Sequence, residues 1–171
     1  MKFTTISVFL SIIFTISGCS PKRAEVALDY SKIQMLDAEN LAETGIVEAY
    51  KNLEPELRIH ISSTAEIQEL IDPNAPSYSV RALGSEYIIY SPSTTTGEYE
   101  SWGLATYALF KIVNDQLANS NVRFYALNSG NDLSGIFLTQ QQAEAAKASI
   151  PKRSDWPYLP SDQGPWYGQY H

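Results

Sequence analysis

The chain has 171 residues and a formal charge of −7, from 12 basic and 19 acidic side chains. That length suits one compact domain of ordinary size, and the excess of acid argues against nucleic acid as a partner, because phosphate binding needs clustered Lys and Arg. One cysteine excludes an intramolecular disulfide, and two histidines leave too few ligands for a zinc site, so neither a metal nor a cofactor is expected.

Met1 and Lys2 precede an uncharged run from Phe3 to Ile16 dominated by Phe, Ile, Val, Leu, Ser and Thr. This is the layout of a secretory signal, and it is shorter than the roughly 20 residues a membrane-crossing helix needs. Residues 1–18 are therefore set apart from the fold. At their end, Ile16-Ser17-Gly18-Cys19 resembles the lipobox of bacterial lipoproteins: an aliphatic residue, two small ones, and the cysteine that takes a diacylglycerol thioether. The resemblance covers only these opening residues. It implies cleavage before Cys19, acyl chains of the palmitate type on Cys19, and a protein anchored in the bacterial cell envelope facing the periplasm. Two or three chains hold stably where one holds only marginally. Ser20 resembles the pattern that directs such proteins to the outer membrane in enteric bacteria, and residues 19–23 then form a tether. Removing the signal takes Lys2 and no acid, leaving 11 basic against 19 acidic side chains. A protein partner is expected, and this field favours a basic one.

Residues 24–150 read as a single α+β domain. From Ala24 to Leu53 the pattern is helical, with Val26, Tyr30 and Ile33 on one stripe and Leu41, Ile46, Ala49, Tyr50 and Leu53 on another; Gly45 interrupts it and Pro55 closes it. Leu57 to Ser62 alternates as a strand does, with His60 on the face opposite Ile59 and Ile61. Ser63-Thr64-Ala65-Glu66 predicts a capped helix through Ile71, and Asp72 to Pro76 a loop. Tyr78–Leu83 and Glu86–Tyr90 form a hairpin around Gly84-Ser85. After a Ser/Thr loop, Thr95 and Glu98 cap the longest helix, which ends near Asn119 and is apolar over enough of its surface to be buried against a sheet. Val122–Leu127 and Leu133–Leu138 make a second hairpin, and Thr139 with Gln142 caps a last helix through Ser149. Together these predict a mainly antiparallel sheet of about five strands with helices packed on one face.

Residues 151–171 change character: Pro151, Pro157, Pro160 and Pro165 alternate with Trp156, Tyr158, Trp166, Tyr167 and Tyr170. Such a segment is neither a regular helix nor a central strand. Its aromatics either pack back over the domain or form a contact surface, with Trp156, Tyr158, Trp166 and Tyr167 as the candidate anchors for a partner.

No catalytic residue is assigned. The nucleophile elbow, the P-loop and the dinucleotide glycine pattern are absent. Glu98, Glu100, Asp115 and Asp132 could supply a glycosidase pair in principle, but the helix dipole accounts for the first two and a tight turn for Asp132. The expectation is a lipid-anchored, periplasm-facing protein-binding lipoprotein, such as an inhibitor or immunity protein acting against an envelope hydrolase or toxin. The alternatives are a cell-envelope hydrolase acting on glycan or peptide and a structural subunit of an envelope assembly.

Overall fold

The computed structural model describes residues 28–94 and 97–171. The signal, the lipobox, Cys19 and Thr95 lie outside the described residues. Among the described residues, six strands and four main helices make an α+β fold, and the strands divide into two three-stranded antiparallel sheets. One sheet has the order β1 (Gln34–Met35), β6 (Ser134–Thr139), β5 (Val122–Leu127). The other is a meander of β2 (Ile67–Asp72), β3 (Ser77–Ala82) and β4 (Ser85–Tyr90).

The first helix differs from expectation at both ends. Residues 28–37 are not helical: Asp29 draws the Ser31 amide and hydroxyl into a 3-10 turn, and Gln34–Met35 then pairs with Gly135 and Ser134. Helix begins only at Ala38, where the Asp37 carboxylate accepts from the Asn40 amide. The short piece α1 (Ala38–Asn40) continues into a wide turn that bends at Thr44 (φ 77°), and α2 (Ile46–Leu57) starts after Gly45. Gly45 is the break expected of it, because a Cβ there would lie 2.6 Å from the Asn40 carbonyl oxygen. Pro55 does not close α2, which runs on to the fully buried Leu57.

Two further expectations fail in the next segment. Residues 58–62 turn rather than extend, with the Ile59 and His60 amides bonding back to the Glu56 and Leu57 carbonyls. The helix expected at residues 63–71 is instead β2, paired with β3 from Ile67 opposite Ala82 to Asp72 opposite Ser77. A local capping signature loses here to six cross-strand pairs. The β3–β4 hairpin is present, shifted by one residue: its turn pair is Leu83-Gly84, both at positive φ (52° and 77°), and Ser85 already belongs to β4.

The long helix α3 (Glu98–Gln116) lies against both sheets. Its Leu109, Phe110, Ile112 and Val113 meet Tyr78, Val80 and Ile89 from one sheet and Phe124 and Ala126 from the other. Phe110 stacks on Phe124 at 4.5 Å, and Phe124 meets Phe137 at 4.6 Å. Strand alternation sends Tyr125, Leu127, Ile136 and Leu138 to the opposite face, where Ala143 and Ala146 of α4 (Gln140–Ser149) cover them. The sheet of β1, β6 and β5 is thus covered on both faces. The Thr139–Gln142 capping box is present as predicted.

Candidate functional site

The tail packs back on the domain through a single strand-like contact. Tyr158 and Ala126 exchange two backbone hydrogen bonds (2.8 and 3.0 Å), and the Tyr158 hydroxyl donates to the Asn128 carbonyl at 2.8 Å. Tyr158 is buried, and burial pushes its phenol well above the usual tyrosine range. Trp156 is half-buried; its indole N–H donates to the Ile150 carbonyl and its ring meets Tyr170 edge-on. Two of the four candidate anchors therefore hold the tail in place.

The other two sit on a tight turn. The Tyr167 amide donates to the Gln163 carbonyl, Ser161 N–H to the Tyr167 carbonyl, and Gln169 N–H to the Trp166 carbonyl. Tyr167 takes a left-handed backbone (φ 48°), a conformation that costs a bulky side chain about 1 kcal/mol or more. This turn brings the Tyr167 ring against α3 at Gly103; a Cβ at Gly103 would come within 2.1 Å of the ring. Trp166, beside it, is held 58% exposed with His171 against its face.

Facing this turn, the first two turns of α3 present Tyr99 and Trp102, edge-to-face at 5.1 Å. Tyr99 is 77% exposed. The gap between helix and tail is an open cleft of about 430 Å³, with Trp102, Tyr158 and Trp166 among its walls. A second cleft of about 450 Å³ continues it past Tyr99, Pro165 and Tyr167 to Glu100. Tyr99, Pro165 and Tyr167 line both, so the two adjoining clefts together make an aromatic groove. Among its described lining residues, Glu100 carries the only charge. Burial, and then the Glu100 carboxylate, push the Tyr167 phenol up. Sequence reasoning placed Trp166 and Tyr167 here but missed Tyr99. The signal available was the aromatic pair at 99 and 102, three residues apart on an exposed helix start.

A wider cleft, about 1050 Å³, opens between β5, α4 and the tail. Its cations are already engaged. Arg123 donates to the carbonyls of Leu117, Ala118 and Ser120 in the turn after α3 and of Val122 at the start of β5, and Lys147 pairs with Glu144 at 3.0 Å. Burial alone would lower Lys147, yet hydrogen bonds to Glu144 and Tyr170 carry it above its ordinary value.

The acids considered for hydrolysis share no cleft: Asp132, in the 3-10 turn Gly130–Asp132, lines one that contains none of the other three. Glu98 and Glu100 are two residues apart on α3 and point different ways. Asp115 pairs with Lys111 about 22 Å further along the same helix, far beyond the roughly 5–9.5 Å that separates glycosidase carboxylates. His60 is no strand residue; its Nε2 is buried without a hydrogen bond and its ring lies 5.4 Å from Phe137. Among the described residues, no group of three or more His, Cys, Asp and Glu could hold a metal ion, and no helix is long and apolar enough to cross a membrane. Comparison with family models, curated proteins and solved structures returns no match.

Proposed function

We propose that this protein is a lipid-anchored lipoprotein of the bacterial cell envelope that binds another protein, as an inhibitor or immunity protein directed at an envelope-acting hydrolase or toxin. The observation that carries the binding half is the groove. A tryptophan more than half exposed, on a turn fixed by backbone hydrogen bonds and a left-handed tyrosine, faces an exposed tyrosine across an apolar channel. Large aromatics kept in water by a preorganised scaffold are the usual hot-spot residues of protein interfaces. The anchoring half rests on the lipobox-like Ile16-Ser17-Gly18-Cys19. The envelope location follows from that signal, with the outer membrane favoured by Ser20.

Two experiments test the two halves separately. Labelled palmitate should be incorporated by the full chain and not by Cys19→Ser; equal labelling removes the anchor. A soluble form beginning at Ser20, used as bait in envelope extract, should retain one stoichiometric protein identifiable by mass spectrometry as a hydrolase or toxin. Retention of none would remove the binding reading.

A further inference from the structure

Resting on that protein-binding reading, we infer that the groove between α3 and the tail turn takes an extended, proline-containing peptide segment flanked by lysine or arginine, seated against Tyr99, Trp102 and Trp166. The aromatic walls come from α3 and from the tail, and on α3 the Tyr99 and Trp102 rings stand edge-to-face rather than as a flat patch. Side-chain hydrogen-bonding groups along the main cleft are Thr106, Ser129 and Gln169, three phenols and two indole N–H groups, and the Tyr158 hydroxyl is already given to the Asn128 carbonyl. Most of the exposed wall is nonetheless apolar ring surface, which suits an occupant that brings few polar groups needing partners. A polyproline II segment does so, since proline has no N–H, its carbonyls stay in water, and its conformation is already ordered before binding.

Strand addition at the adjacent sheet edge is closed. The outward groups of β5 are all taken: Phe124 N–H and C=O by the Asn114 side-chain amide (2.8 and 2.9 Å), Ala126 by Tyr158, and Val122 by Ser120 and Arg123. The charge is complementary to a basic segment: Glu100 ends the groove, Glu98 lies in the same helical turn, and the described lining contains no Lys or Arg. A second copy of this chain, with the same net charge of −7, is disfavoured as the occupant on that ground.

The test is selection of a displayed random dodecapeptide library on the soluble form beginning at Ser20, followed by titration of the selected peptides. Enriched sequences should share proline with neighbouring Lys or Arg. Their affinity should fall about tenfold or more with Trp166→Ala, and severalfold with Glu100→Gln or raised salt, while both variants keep the parent circular dichroism spectrum. Trp166 is exposed, so its replacement leaves the core intact. No enrichment, an acidic consensus, or binding indifferent to Trp166 overturns the inference, as does saturable, Trp166-dependent binding of chitohexaose. An envelope protein captured equally by the Trp166→Ala form would sink the groove while sparing the protein-binding reading. A basic proline consensus with no envelope partner would do the reverse.

Discussion

Gly103→Ala separates helix propensity from tail docking by sign. Gly103 lies inside α3, where Ala is favoured over Gly by about 1 kcal/mol, so an exposed site would gain that much stability. Here the new Cβ would lie 2.1–2.6 Å from three atoms of the Tyr167 ring. The ring cannot retreat cheaply, because its backbone is fixed by hydrogen bonds on both sides. Overpacking of this kind costs about 1–3 kcal/mol, so Gly103→Ala should be neutral to about 2 kcal/mol destabilising. In a Tyr167→Ala background the clash is gone and the same change should stabilise by about 1 kcal/mol. Urea unfolding of the four proteins in the cycle measures this. Trp166 fluorescence reports whether the tail turn has moved. Stabilisation by about 1 kcal/mol in both backgrounds would refute the docking of Tyr167 on α3, and with it the groove.

Other expectations follow from single contacts. Asn114→Leu leaves the Phe124 N–H and C=O without partners and should cost about 2–4 kcal/mol; gel filtration should also show self-association, since a sheet edge has been opened. His60→Leu removes a buried nitrogen that has no partner and should be neutral or stabilising by about 1 kcal/mol, whereas a loss above about 2 kcal/mol would show that the ring makes an unseen bond. Tyr78 and Tyr158 are raised above the ordinary tyrosine value of 10.0 by burial. For them the folded state holds the proton more tightly, so their contribution is fully present below pH 10 and is lost as pH rises above it, at up to about 1.4 kcal/mol per pH unit each. Unfolding midpoints across pH 8 to 12 should fall only above about pH 10, less steeply in Tyr158→Phe.

Where local signals and tertiary pairing agreed, the elements were legible. The β3–β4 hairpin, β5, β6 and the capped α4 each carried periodicity and a turn or cap of their own; α3 carried the periodicity, but its N-cap is Gly97 without a side-chain bond, not the Thr95 expected. β2 did not. Its half-buried inner face holds Ile67 and Glu69 while Ile71 on the same face is exposed, so an acid and an exposed isoleucine hide the alternation. Glu69 faces inward because its carboxylate accepts from the Val47 amide at the start of α2 and from the Tyr78 hydroxyl (3.1 and 2.7 Å), a task visible only once the elements are assembled. β1 is two residues long, too short for any period to register. The same limit applies to the site. Trp166 and Tyr167 stood out by composition, but their division of labour with Trp156 and Tyr158, and the part of Tyr99, depend on how the tail lies across α3. Gly103, inside α3, is what allows that approach.

The most direct test of the account is quantitative capture from envelope extract by three baits compared side by side: the soluble form from Ser20, its Trp166→Ala variant and its Tyr30→Ala variant. Tyr30 is also an exposed aromatic, but it lies outside the groove. One stoichiometric partner should be retained by the parent and by Tyr30→Ala and lost about tenfold or more with Trp166→Ala. No partner, or equal recovery on all three baits, would contradict it.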